Sequence, residues 1–209
     1  MKNFKCICVL LCLCTISCTL NAQGLNAILS EQDKQEFQQR IKDNVMEFQG
    51  YLSKIANDKN DLSVRNNAIR AALNLYIGKG KPYTSLDDWG NETNHDAVKM
   101  YTSSKYSKRL RPQPMSAYLE NLKLLGEKYL IRVETADAVR VDNITPAAGG
   151  RYVAVAYFVQ KYYRYTRDGQ LIYVDETTKK VKVYIDPIQV GNGVVWKALL
   201  GDVYVVSTR

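Results

Sequence analysis

The one histidine of this chain, His95, stands beside Asp96, and an imidazole with a carboxylate is a minimal set for moving protons near neutral pH. Both are catalytic candidates. Neighbouring residues on a strand point to opposite faces, so adjacency alone does not make them a working pair. A larger constellation lies further on. Tyr157, Tyr162, Tyr163, Tyr165, Tyr173 and Tyr184 crowd one stretch, with Lys161 and Arg164 among them and Arg167, Lys179, Lys180 and Lys182 interleaved. Two readings stay open. Aromatic residues favour strands, and alternate lysines and arginines are the solvated face of a sheet. The same residues also form an aromatic and basic platform that could stack sugars or bases or meet a protein. A separate basic group, Lys105, Lys108, Arg109 and Arg111, is either a solvated loop or a surface for phosphate headgroups.

Metal and cofactor chemistry has little to build on. All five cysteines, Cys6, Cys8, Cys12, Cys14 and Cys18, fall in the first eighteen residues, and one histidine without thiols does not make the usual zinc ligand sets. Asp58-Lys59-Asn60-Asp61 and Asp87-Asp88 lack the spacing of a calcium loop and read as turns. No cofactor is expected.

The cysteine-rich start reads as an address. Lys2 and Lys5 form a positive n-region, Ile7 to Leu20 an apolar h-region, and Leu20-Asn21-Ala22 a small-residue cleavage site. The apolar stretch is shorter than the roughly twenty residues that span a bilayer. The expectation is therefore a signal peptide over 1–22 and one exported domain over 23–209, periplasmic or extracellular. The alternative is a lipoprotein acylated at Cys18. The net charge of +8 includes the two leader lysines. That balance and the exported location argue against nucleic acid.

The positions of these residues depend on elements that run helices first, strands after. Phe37, Ile41, Val45, Phe48, Leu52 and Ile55 form one helical stripe, with Ser30 and Asp33 placed to cap it. Asn57 to Asp61 is a break. A second helix spans Ser63 to Ile77, with Gly78 as its C-terminal cap. Lys79 to Asp96 reads as a loop and Val98 to Thr102 as a first strand. Pro112 and Pro114 open a third helix through Met115, Tyr118, Leu119, Leu122 and Leu125, stopped by Gly126. Tyr129 to Val141 alternates in part, and Arg151 to Thr166 is a strand. Asp168-Gly169 predicts a type I′ hairpin pairing Tyr162 to Arg167 with Gln170 to Asp175. A strand through Val181, Val183 and Ile185, a turn at Gly191-Asn192-Gly193 and a last strand from Val194 to Ser207 complete the chain. The fold class is α+β: three helices in the N-terminal half on a curved antiparallel sheet of about five strands. Phe48 and Leu52 are expected to meet Val155 or Tyr157.

This order resembles the nuclear transport factor 2-like superfamily, the cystatin-like cone, over about Gln32 to Thr208. Phe48-Gln49-Gly50-Tyr51-Leu52, the segment Ala72 to Gly80 and Leu199-Leu200-Gly201-Asp202-Val203 are similar to exported, helix-first Bacteroidetes members. The resemblance implies a pocket at the open end of a cone. It also implies that a catalytic relative, such as ketosteroid isomerase or scytalone dehydratase, would use an Asp base, Asp–His pairs and Tyr donors there. Two function classes follow. One is a non-catalytic module binding a small molecule or an envelope protein, with a homodimer through its sheet as one form of assembly. The other is an isomerase or dehydratase acting by proton transfer through His95, Asp96 and one inward Tyr.

Overall fold

Ser30 starts the first helix as its sequence promises. Its Oγ accepts from the Asp33 backbone N–H at 3.1 Å, and the Asp33 carboxylate accepts from the Ser30 N–H at 2.9 Å. This reciprocal box satisfies two donors that a helix start otherwise leaves unpaired. In the computed structural model, which describes residues 28–87, 89, 91–191 and 193–209, helix α1 runs Glu31–Ala56, α2 Leu62–Asn74 and α3 Met115–Lys128. The leader, the Ala22 cleavage site, the Cys18 alternative, Asp88, the turn residue Asn192 and the side chain of Lys108 lie outside the described residues.

Among the described residues ten strands are present: β1 Tyr83–Leu86, β2 Glu92–His95, β3 Lys99–Ser104, β4 Ser107–Pro114, β5 Leu130–Thr135, β6 Arg140–Val141, β7 Thr145–Pro146, β8 Tyr152–Tyr165, β9 Leu171–Val190 and β10 Gly193–Thr208. β1 and β2 form a separate hairpin. The other eight make one sheet ordered β4-β3-β10-β9-β8-β5, with β6 and β7 continuing the β8 edge beyond β5. The expectation of about five strands is therefore corrected to eight in the main sheet. Three causes account for the difference. The supposed basic loop before α3 is β4, the segment Tyr129 to Val141 breaks into β5 and β6, and β7 is a two-residue addition. Nor is the sheet wholly antiparallel, because β10 and β3 run parallel where Val203 pairs with Met100. Pro112 is tolerated within β4 because β4 is an edge strand.

The helices cover one face of this sheet. Leu29 donates its N–H to the Tyr152 hydroxyl at 3.0 Å, Gln160 donates to Gln49 at 3.0 Å, and Asn44 donates to the Ala198 carbonyl at 3.2 Å. Along β8 the even residues, Tyr152, Ala154, Ala156 and Phe158, are buried beneath the helices; the odd ones face out. Phe48 and Leu52 are fully buried as expected, but Val155 and Tyr157 lie on the opposite face from them. The deciding reason is parity: only the even face carries the small alanines that let a helix approach.

Three local readings also change. Helix α2 stops at Asn74, because the chain turns to bridge Tyr76 to Leu200 and the Leu200 N–H donates to the Leu75 carbonyl at 2.8 Å. Gly78 then takes a φ of +70° in the short turn that follows. Gly126 lies within α3 rather than ending it; a Cβ there would fall 2.2 Å from the Ala56 carbonyl oxygen, so glycine permits the crossing of α1 and α3. At the Asp168-Gly169 hairpin only the glycine has positive φ, +90°, whereas type I′ needs two such residues. The Gly169 N–H donates to Thr166 and the Thr166 N–H to Gln170, which makes a three-residue loop with glycine at the left-handed position. Among the described residues no helix is long and apolar enough to cross a membrane.

Candidate functional site

A well-formed hollow opens on the helix-covered face, toward the hairpin end of β8 and β9. It encloses about 260 Å³ between α3 and the sheet. Leu122 and Leu125 of α3 and Val205 of β10 supply apolar wall, and Tyr118, Tyr162 and Tyr173 supply aromatic wall. Val205 reaches the cavity because of a register shift between Leu200 and Val203 in β10. The shift moves the buried set from Ala198 and Leu200 to Val203, which turns Val205 in and Tyr204 out.

Polar chemistry in the cavity comes from β9. Its odd positions face inward without interruption: Tyr173, Asp175, Thr177 and Lys179 line the hollow, and Val181, Val183 and Ile185 continue into the core. Asp175 accepts a short hydrogen bond from the Tyr173 hydroxyl. Burial nonetheless holds the Asp175 carboxyl above the usual carboxylate range, against the opposing effects of Tyr173, Lys179 and Lys105. Lys179 is only 5% exposed, and desolvation pushes its ammonium down to about 8, with Asp175 pulling it back up. Its hydrogen-bond partner is the Met100 thioether at 3.7 Å, a weak acceptor, and its charge stands 5.9 Å from the Tyr118 ring centroid. Desolvation likewise raises Tyr162 and Tyr173 to about 12 and Tyr118 higher still.

At the rim, Arg164 lies 5.0 Å from the Tyr129 ring and 5.3 Å from the Tyr173 ring, and Lys105 lies 5.5 Å from Tyr173. The Arg164 Nε is shielded from solvent and has no hydrogen-bond partner among the described residues.

The tyrosine constellation is thus split by the sheet. Tyr162 and Tyr173 line the cavity and Arg164 sits against the Tyr173 ring beside it, while Tyr157, Tyr163, Tyr165, Tyr184 and Lys161 stand on the uncovered face. There Arg140 lies over Tyr157 at 4.5 Å, Tyr163 stacks on Tyr165, Arg151 and Lys182 flank Tyr184, and Lys161 pairs with Glu176 at 3.2 Å. His95 is remote from the cavity lining. It ends β2, stacks on Tyr83 at 4.9 Å and shares a 2.8 Å hydrogen bond with Ser85. Asp96 instead pairs with Lys99 at 2.9 Å, and desolvation does not oppose that enough to keep its carboxyl from falling below the usual range. The two do not form a dyad. Among the described residues no group of three or more His, Cys, Asp or Glu is placed to hold a metal ion.

Asp175 and Tyr118 were not named as site residues from the sequence, and Lys179 was read only as one of the basic residues interleaved with the tyrosines. A usable signal was present for two of them. Val181, Val183 and Ile185 fix which parity of β9 is buried, and Lys179 and Asp175 share that parity. Compared with protein-family models, curated proteins and solved structures, the chain matches none of them.

Proposed function

We propose that this protein is an exported, non-catalytic binding module whose ligand, a small molecule, occupies the cavity between α3 and β9. The observation that carries this reading is the lining itself: apolar and aromatic walls with a few convergent polar groups, the usual make-up of a small-molecule site. Export rests on the leader, with lipidation at Cys18 as its alternative. The resemblance to the nuclear transport factor 2-like superfamily rests on the order of elements, two helices first and the long strands last. The uncovered tyrosines and Lys161 are the surface for an envelope protein or a second copy of the chain.

One observation favours the proton-transfer alternative, and it shifts that reading away from His95 and Asp96. A buried carboxyl held above its usual range beside a tyrosine hydroxyl, as Asp175 is beside Tyr173, has the make-up of an acid–base pair.

A thermal-shift screen of small organic molecules separates the outcomes. A ligand at about 100 times its Kd stabilises by about 2.7 kcal/mol, or roughly 5–10 °C for a domain of this size. Leu125→Trp fills the cavity from a part-exposed position and should remove that shift. An undiminished shift in Leu125→Trp would overturn the cavity as the binding site. Turnover of a ligand that Asp175→Asn abolishes while leaving binding intact would replace the binding module by the enzyme.

A further inference from the structure

Among the described residues Lys179 has no partner equal to its charge. An ammonium carries three donors, and among the described residues the one hydrogen bond it makes is to a thioether. No carboxylate lies within ion-pairing distance of it among the described residues. Asp175 is two inward positions away on the same strand and its carboxylate is engaged by Tyr173. Burying an ammonium without an anion or full hydrogen bonding is costly, and a methionine or leucine would fill the same space at no such cost. A charged group kept under these conditions, on the wall of a cavity open to solvent, is best explained by an anion that arrives from outside.

We propose that the cavity takes a small molecule with an aromatic or aliphatic body and a single carboxylate, the carboxylate resting on the Lys179 ammonium. This rests on the binding reading above and specifies its ligand. The body fits the walls of Leu122, Leu125 and Val205 and the ring of Tyr162. A monoanion suits the site better than a phosphate. Phosphates are usually held by several donors, a helix N-terminus or an arginine fork, whereas one buried lysine is offered here and Asp175 in the same cavity opposes a second negative charge. Tyr118 from α3 and Asp175 from β9 face the ammonium; Tyr162 from β8 and Tyr173 from β9 line the same cavity further along, with Arg164 and Lys105 beside the Tyr173 ring.

Three probes with one body and three heads test this: 4-phenylbutyrate, 4-phenyl-1-butanol and 4-phenylbutylamine, titrated calorimetrically into the purified protein. At pH 6.5 the acid should bind at least about tenfold more tightly than the alcohol, and the amine more weakly than either. Raising the pH to 9.5 should erase most of the acid's advantage, because the lysine loses its proton through about 8. Binding of the acid, measured from pH 7 to 9.5 in two buffers of different ionisation enthalpy, should show net proton uptake within that range, because the anion favours the charged lysine. In Lys179→Met the acid should fall to the level of the alcohol. Acid and alcohol binding equally to wild type, or acid binding without proton uptake, would overturn the lysine–carboxylate inference while leaving the cavity reading intact. Failure of all three probes to bind at millimolar concentration would overturn both.

Discussion

Lys179→Met should make the unliganded protein more stable. The side chain is buried, and its ammonium titrates near 8 in the fold against 10.5 in the unfolded chain. That gap corresponds to roughly 3 kcal/mol charged against the folded state at pH 7. Methionine keeps the length and apolar stem of lysine and removes the charge. Part of the gain is given back, because Lys179 and Asp175 attract one another and Asp175 is already held above its usual range by burial. The net expectation at pH 7 is a gain of about 1–3 kcal/mol, each kcal/mol raising the midpoint by roughly 2–4 °C. The dependence on pH has a definite sign. Below 8 the lysine is protonated in both states and the full cost is present. Between 8 and 10.5 the unfolded chain binds more protons than the folded one, so wild type gains stability with rising pH and the difference between the two proteins shrinks. Urea unfolding of both proteins at pH 7, 9 and 10.5 reads this directly. Destabilisation of the variant by more than about 1 kcal/mol at pH 7, or a difference that stays flat across the series, would show that the ammonium is satisfied in the fold and would remove the reason to look for a ligand anion.

Other expectations are narrower. Phe48→Ala, which empties a site 1% exposed where the ring meets Tyr76 edge-on at 5.2 Å, should cost about 3–5 kcal/mol in urea unfolding; less than about 1 kcal/mol would place α1 off the sheet. Gly126→Ala sets a methyl against the Ala56 carbonyl and should cost about 1–3 kcal/mol or more, whereas an unchanged midpoint would mean that α1 and α3 do not cross there. His95→Ala should leave the affinity for a cavity ligand within about twofold, since its ring contacts are to Tyr83 and Ser85; a tenfold loss by calorimetry would tie the β1–β2 hairpin to the site. Tyr173→Phe removes the hydroxyl that holds Asp175 down and should raise the carboxyl further, read as an upward-moved titration of its carbon resonance by NMR.

Much of the fold was legible because it is written in short-range periodicity. The stripe from Phe37 to Ile55 is a helix whichever sheet receives it, Ser30 and Asp33 cap it from within four residues, and the alternation along β8 and β9 marks two long strands. What escaped was set by contacts distant in sequence. Ser107 to Pro114 carries prolines and charges that read as a loop, and it becomes a strand because the β3 edge is there to pair with it. Gly126 reads as a helix stop until Ala56 is brought against it. The tyrosines could be counted along the chain but not sorted, since which parity of β8 faces the helices depends on what packs there.

For the site the division is sharper. Residue order alone determined that aromatic and basic side chains would gather along β8 and β9, and that His95 and Asp96 would not share a strand face. Only the tertiary structure decided that Tyr162, Tyr173, Asp175 and Lys179 enclose one hollow with α3 while Tyr157, Tyr163, Tyr165 and Tyr184 stay outside it. The physical reason is that a lysine's identity says nothing of its solvent. Lys179 and Lys180 are the same residue type one position apart, and burial turns one into a poised, desolvated ammonium and leaves the other exposed.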